Sequence, residues 1–233
     1  MCHAVIGARA KAAALAFLAA AVAVTAAARD QPERDPKYPA AWWAEVPRDD
    51  AASWEILPQD AGAGEVILSK RTELGLFSNF AATPFTLDGQ EYPALEGFWQ
   101  SLKYPESADD ARATFPGITW QFTRAQVAKM IGFEAKHAGD LASDNMKVMG
   151  INYVTYQGKQ MPYHTTERGD HFKLIVRATQ AKLDQNPELK ALLLRTGDLT
   201  LKPDHADASN ANPAWRYYDI YRDIRAALQA PSH

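Results

Sequence analysis

Apolar residues recur at helical spacing in four stretches of the chain, over residues 94–104, 170–185, 187–196 and 213–229. In the first stretch the apolar side chains fall three or four positions apart and form one face: Leu95, Phe98, Trp99 and Leu102. Proline opens the last two stretches, and it suits the first position of a helix because the backbone N–H there has no helical partner. The spacing predicts four helices.

Capping patterns predict two shorter helices between the first and second of these. Two pairs match the capping box, Ser107 with Asp110 and Thr123 with Gln126. In this motif each side chain of the pair accepts a hydrogen bond from the backbone N–H of the other residue. We expect Gly132 to end the second short helix, because glycine readily adopts the left-handed conformation that follows a last helical turn.

Short apolar or alternating runs predict a few strands. Residues 85–92 are typical of a tight hairpin around Asp88-Gly89, a pair that supplies the positive φ angles of a two-residue turn. A second hairpin is expected over 154–163, and single strands over 66–68 and 199–201. The predicted class is therefore α+β, a mostly helical single domain with a few short antiparallel strands.

The first 28 residues have the pattern of an export signal. Arg9 and Lys11 precede an apolar run over 12–24, and Ala26 and Ala28 supply a small-x-small cleavage pattern. The run is shorter than the roughly 20 residues of a membrane span, and a short N-terminal anchor is the alternative. We expect the mature protein in the periplasm or outside the cell, with no stable membrane span after cleavage.

Residues 29–64 are rich in proline and charge and are expected to form an N-terminal extension to a domain over 65–229. Proline fixes φ and removes a hydrogen-bond donor, so residues 29–50, which contain four prolines, are predicted to be an extended tether. Trp42 and Trp43 within it indicate that part of the tether lies against the domain.

Composition and charge exclude several classes of protein. The chain has 233 residues, 47% of them hydrophobic, and its formal net charge is −3. A slightly acidic balance argues against an extended nucleic-acid surface, since binding to phosphates needs a basic face, but a pocket for one nucleotide stays possible. Cys2 is the only cysteine and precedes the predicted cleavage point, so neither a disulfide nor a thiolate nucleophile is expected in the mature chain.

Three polar residues share one face of the first predicted helix. Glu96, Gln100 and Lys103 are separated by steps of four and three, which keep them on one side. A solvent-exposed stripe, with Glu96 near the positive end of the helix dipole, is one interpretation. The other is a row of functional groups along the wall of a pocket.

Two further segments could contribute to such a pocket. Ser78, Asn79 and Phe80 combine a hydroxyl, an amide and a ring, which suit a flat heterocycle, although a core turn is the alternative. The polar loop that contains Asp204 and His205 leads to Trp215, and such loops occur both in ligand sites and elsewhere. Asp204, His205 and Asp207 could chelate a cation, but three ligands in one loop are a weak signal. No metal and no cofactor are predicted.

Taken together, these segments resemble one family. Residues 75–104 read GLFSNFAATPFTLDGQEYPALEGFWQSLKY, similar to the signature of the NADAR superfamily of YbiA-like N-glycosidases. Residues 181–201 read AKLDQNPELKALLLRTGDLTL, similar to the family's late helix pair and strand. The loop 203–214 and Trp215 resemble its acidic loop and Trp more weakly. The sequence departs from the family at Gly97, where the family usually has His.

The resemblance implies a fold, an activity and roles for particular residues. Members of the family hydrolyse N-glycosidic bonds to ribose, in ribosylamino-pyrimidine intermediates or in ADP-ribosylated guanine. By position, Glu96 and Lys103 are implied catalytic residues. The family's second carboxylate is missing at its usual place, where this chain has Leu201-Lys202-Pro203, and Asp204, one position away, is the expected substitute in catalysis. The implied substrate-binding residues are Ser78, Asn79, Phe80, Trp99, Gln100, His205 and Trp215. The expected partner is a small nucleotide-like substrate, and the oligomeric state is not predicted.

The mechanism expected from these residues is hydrolysis at ribose C1. Cleavage builds positive charge on C1 and the ring oxygen, and the Glu96 carboxylate could stabilise that charge and activate water. If desolvation or a neighbouring cation lowers its pKa, Lys103 could attack C1 of an opened ribosylamine to form an imine; otherwise Lys103 would pair with a phosphate or with Glu96. Two alternatives stay open: a non-catalytic module that binds a nucleotide or ADP-ribose, and an exported toxin or defence factor.

Overall fold

The computed structural model describes residues 33–207 and 212–231, and the predicted export signal lies outside them. Six α-helices and six short strands follow one another in this part of the chain. The helices are α1 Leu95–Ser101, α2 Arg124–Val127, α3 Gly132–Met149, α4 Asp170–Gln185, α5 Pro187–Arg195 and α6 Tyr217–Gln229. The strands are β1 Glu65–Ile67, β2 Phe85–Leu87, β3 Gln90–Tyr92, β4 Tyr153–Tyr156, β5 Lys159–Pro162 and β6 Thr200–Lys202. The predicted α+β class is confirmed.

The strands form three separate pairs. The hairpins β2–β3 and β4–β5 are antiparallel as predicted, and Asp88 and Gly89 adopt φ angles of 50° and 81° in the first turn. The third pair, β1–β6, is parallel, with Val66 beside Leu201, so the expectation of antiparallel strands alone was wrong. A parallel pair needs a long crossover, and the helices α1–α5 between β1 and β6 supply it.

All residues of helix α1 are buried. It packs against α2, α3 and α4, which shield it from solvent. A Cβ atom at Gly97 would overlap the carbonyl oxygen of Met130 and lie 3.0 Å from that of Val127. Only glycine allows α1 to approach the end of α2 this closely.

The described part of the N-terminal extension packs into the same core as the helices. It forms three 3-10 helices, Ala40–Trp43, Arg48–Asp50 and Pro58–Asp60, so it is not an extended tether. Trp42 is fully buried and its Nε1 donates to Glu73 over 2.7 Å, which agrees with the prediction that the tryptophans lie against the domain. The predicted division at residue 65 therefore separates segments that share one core.

Helix α3 differs most from the prediction. Gly132 begins this 18-residue helix instead of ending α2. Its buried face consists of small and flexible residues, which give little hydrophobic contrast: Ala135, Ala138, Gly139, Ala142, Met146 and Met149. The helix predicted at Ser107 is absent from the described structure, because the Asp110 carboxylate accepts from the Glu106 N–H and binds Arg112 within a run of turns. Among the described residues, no helix combines the length and apolar character that a membrane crossing requires.

Candidate functional site

A cavity of about 530 Å³ opens beside α1. Its walls come from α1, α3, the turn before β2, and the loops that precede α4 and α6. All of the residues assigned to the site from sequence line it: Ser78, Asn79, Phe80, Glu96, Trp99, Gln100, Lys103, Asp204, His205 and Trp215. The fold thus brings together segments that are more than a hundred positions apart in the chain.

The helix predicted to reach residue 104 ends at Ser101, so Glu96 and Gln100 lie on α1 and Lys103 lies in the turn that follows it. This polar row is buried, so the solvent-stripe interpretation is wrong. Glu96, Gln100 and Lys103 are 5%, 7% and 4% exposed. Gln100 Nε2 donates to Glu96 Oε1 over 2.7 Å. Lys103 Nζ donates to the carbonyl oxygen of Gly139 over 3.1 Å and to Ser143 Oγ over 2.8 Å, which joins the row to α3.

Burial changes the acid–base properties of both charged residues in the row. Desolvation raises the pKa of Glu96, although the Gln100 hydrogen bond and the charge of Lys103 oppose the shift. Desolvation also lowers the pKa of Lys103 to about 8, against the opposing attraction of Glu96. The cavity therefore holds a carboxyl group that takes up a proton readily and an amine that gives one up readily.

The turn at Ser78–Phe80 is fixed from two sides. Lys182 is fully buried in α4, and its Nζ donates to the carbonyl oxygens of Leu76 and Ser78 over 3.0 and 3.1 Å. The Asn79 carbonyl accepts from the Glu96 N–H over 2.9 Å, so the turn also caps the start of α1. Asn79 Oδ1 is buried and has no hydrogen-bond partner among the described residues, which leaves it available to a ligand.

Asp204 lies at another part of the cavity wall and is held by the side chains of Lys70 and His205. It is 1% exposed, forms an ion pair with Lys70, and lies 3.0 Å from His205 Nδ1. Burial alone would raise the pKa of Asp204, but the hydrogen bonds from His205 and Lys70 outweigh it and leave that pKa below its ordinary value. Asp204 is thus an ionised anchor for Lys70 and His205 in this geometry, and its catalytic role stays a prediction.

Aromatic rings form much of the remaining wall. Trp99 Nε1 donates to the hydroxyl of Tyr163 over 3.3 Å, and the Tyr163 ring centroid lies 5.8 Å from that of Trp215. Lys103 Nζ lies 5.1 Å from the centroid of the Tyr163 ring. A ring system entering the cavity would therefore meet aromatic faces close to the amine.

Several lining residues were not singled out in the sequence: Trp54, Lys70, Phe133, Lys136, Asp140, Ser143, Tyr163, His164 and Tyr217. Lys136, Asp140 and Ser143 repeat on α3 the four-and-three spacing of the polar row on α1, which is the signal that could have revealed them. No cluster of three or more His, Cys, Asp or Glu side chains suited to a metal ion occurs in 33–207 or 212–231.

No family model matches the chain, and no curated protein matches it. The chain is similar to the NMR structure of the E. coli protein YbiA, with 19% sequence identity and a TM-score of 0.44. The match covers 74% of this chain and 94% of that one. This likeness is distant and concerns the overall arrangement of the chain.

Proposed function

We propose that this protein is a hydrolase that cleaves an N-glycosidic bond between ribose C1 and a base or amine. The observation that carries the proposal is the burial of Glu96 in α1 and of Lys103 in the turn that follows it, both lining one aromatic-walled cavity. The substrate class is a ribosylamino-pyrimidine phosphate or an ADP-ribosylated guanine. The sequence resemblance to the YbiA-like N-glycosidases supports the same reaction.

Glu96 supplies the acid–base chemistry in this proposal. As the C1–N bond breaks, positive charge develops on C1 and the ring oxygen, and a nearby carboxylate stabilises it. The oxygen of the attacking water bonds to C1 as the C1–N bond breaks, Glu96 accepts a proton from that water, and the same proton then passes from Glu96 to the nitrogen of the departing base. Burial raises the pKa of Glu96, which makes its carboxylate a stronger proton acceptor for this water.

Lys103 offers a covalent route for substrates that open to an iminium. The neutral amine attacks C1, the amine of the base departs, and water then hydrolyses the resulting imine and releases ribose. This route needs an unprotonated lysine, and a pKa of about 8 provides a substantial neutral fraction at mildly basic pH. The rings of Phe80, Trp99 and Trp215 would stack on the base, and Asn79 would read its edge.

The test is the release of base from both substrate types by the purified protein. We expect Glu96→Gln to lower the rate by at least about a hundredfold, because general acid–base catalysis contributes that much or more. Lys103→Ala should also lose most activity. The matched controls are Glu91→Gln and Lys129→Ala, which change exposed residues that do not line the cavity.

Two results would contradict the proposal. Activity of both site variants equal to that of an active wild type would remove Glu96 and Lys103 from the mechanism. Thermal stabilisation of the wild type by ADP-ribose, with no base release from either substrate, would instead favour the non-catalytic binding module.

We further propose that the protein acts in the periplasm or outside the cell, where residues 1–28 would direct it. Mass spectrometry of the N-terminus of the mature protein from cell fractions tests this. The expected mature chain begins at Arg29, and an intact Met1 in the cytoplasmic fraction would contradict export.

A further inference from the structure

The amine of Lys103 is held by two acceptors of α3. Its Nζ donates to the Gly139 carbonyl oxygen over 3.1 Å and to Ser143 Oγ over 2.8 Å. The Ser143 hydroxyl in turn donates to the same Gly139 carbonyl, one helical turn earlier, over 2.8 Å. Because the hydroxyl proton is used in that bond, Ser143 Oγ presents its lone pairs to Lys103.

Glycine at position 139 allows this arrangement. Helices α1 and α3 pack against each other, and a Cβ atom at Gly139 would overlap the amide of Gln100. The close approach brings the Gly139 carbonyl within hydrogen-bond distance of the lysine that follows α1. Both acceptors are thus fixed by one helix, since one is a backbone carbonyl and the other is a short side chain bonded to it.

The number of acceptors matches the neutral form of the amine. An ammonium group has three N–H donors, whereas a neutral amine has two and a lone pair. Gly139 and Ser143 take two of these positions. The remaining position of Nζ is open toward the cavity, where the centroid of the Tyr163 ring lies 5.1 Å away.

We propose that Ser143 is a positioning residue for Lys103: with the Gly139 carbonyl it holds the two N–H groups of the neutral amine against α3 and leaves the lone pair directed into the cavity. This assignment rests on the covalent route of the proposed function. In that route the lone pair of Nζ forms the bond to C1, and one Nζ proton passes to the nitrogen of the departing amine as its bond to C1 breaks. An amine free to rotate would present an N–H to C1 for part of the time, so a fixed orientation raises the rate.

Other groups around Lys103 act on its charge. The titratable side chains that surround it from α1, α3, α4 and the end of β5 are Glu96, Lys136, Asp140, Tyr163, His164 and His171. The carboxylates among them raise the pKa of Lys103 and the ammonium lowers it. Ser143→Ala leaves all of these groups in place and removes a neutral acceptor, which stabilises an ammonium more than an amine. The pKa of Lys103 should therefore fall further below its ordinary value in this variant.

The test follows Lys103 in two ways: by competitive acetylation with acetic anhydride across pH, read by peptide mass spectrometry, and by base release from a ribosylamino-pyrimidine phosphate. In Ser143→Ala we expect the midpoint of Lys103 acetylation to move to lower pH by about half a unit or more. We expect kcat to fall about tenfold or more and KM to change less than about twofold, since misorientation of a reacting group lowers the rate more than the binding.

Two further variants separate orientation from packing. Ser143→Thr keeps the hydroxyl and should restore most of the acetylation midpoint and of kcat. Ser107→Ala is the matched control, because it makes the same change at an exposed position outside the cavity lining, and both quantities should equal those of the wild type.

A wild-type acetylation midpoint in Ser143→Ala would overturn the assignment, and so would a shifted midpoint that Ser143→Thr does not restore. Failure of the proposed function gives a different result. Normal base release by Ser143→Ala leaves the hydrolase standing and overturns the role of Ser143. A wild type that releases no base, but whose Lys103 midpoint shifts in Ser143→Ala and returns in Ser143→Thr, leaves the assignment of Ser143 standing.

Discussion

Gln100 Nε2 donates a hydrogen bond of 2.7 Å to Glu96 Oε1, one turn earlier on α1. This bond favours the ionised carboxylate and opposes the desolvation that raises the pKa of Glu96. Among the described residues, Gln100 is the one hydrogen-bond partner of the Glu96 carboxylate.

The first prediction concerns this bond. Gln100→Leu removes the donor, so the pKa of Glu96 should rise further, and the limb of the pH–rate profile that needs ionised Glu96 should move to higher pH. The measurement is base release as a function of pH. An unchanged profile in an active, folded Gln100→Leu protein would show that the bond does not tune Glu96.

The second prediction concerns the titration of Lys103. If its neutral amine attacks C1, trapping of the imine with borohydride should increase with pH and level off above about pH 8, the pKa of Lys103. Lys103→Arg keeps a charge but cannot form the imine, so its trapped adduct should be absent in the mass spectrum. An adduct on any other lysine of the Lys103→Arg protein would identify a different nucleophile.

The third prediction concerns the stability contributed by Lys182. Burial lowers the pKa of Lys182 from 10.5 to about 7, so between these values the unfolded chain binds more protons than the folded one. The free energy of unfolding of the wild type relative to Lys182→Met should therefore rise with pH from about 7 to 10.5, by at most about 1.4 kcal/mol per pH unit.

Urea denaturation of both proteins at several pH values tests this dependence, with the exposed Lys129→Met as control. The difference between wild type and Lys182→Met should be constant below pH 7, where both states carry the charge. A difference that stays flat up to pH 10 would contradict the lowered pKa.

The fourth prediction concerns the contact between α1 and α3. A Cβ atom at Gly139 would overlap the amide of Gln100 and lie 2.7 Å from its Cγ. Gly139→Ala should therefore displace Gln100, lower the free energy of unfolding by about 1–3 kcal/mol and reduce activity. Gly169→Ala, where the added atom meets nothing within 4 Å, is the matched control and should be close to neutral.

Local sequence patterns predicted most of the helices and strands and the residues of the site on and beside α1. The Asp88-Gly89 turn and the capping box of Thr123 depend on neighbouring residues, so the sequence predicts them directly. The polar row on α1 was visible from spacing, but its burial was not, because that depends on α3 covering it. Gly97 shows the same limit, since its need for glycine arises from Met130 on another segment.

The features that the sequence did not predict have two causes, which are weak hydrophobic contrast in α3 and contacts between residues far apart in the chain. Helix α3 buries mainly Ala and Gly, and such a face has too little contrast to identify a helix. Trp54 and Lys70 were not predicted as lining residues, because the β1–β6 pairing and the backbone hydrogen bond from Ile56 to Asp204 bring them to the cavity. Neither contact leaves a pattern in a short stretch of sequence.

The backbone hydrogen bond from Ile56 to Asp204 also limits how far the protein can be truncated from its N-terminus. A fragment starting at residue 65 would lack the buried Trp42 and the strand-like contact between Glu55 and His205. Truncation would expose the apolar side chains that pack against Trp42, and it would remove the contacts that fix the loop containing Asp204. Expression trials should therefore keep everything from about Glu33 onward, and a soluble, equally stable product lacking residues 33–64 would show that the segment is dispensable.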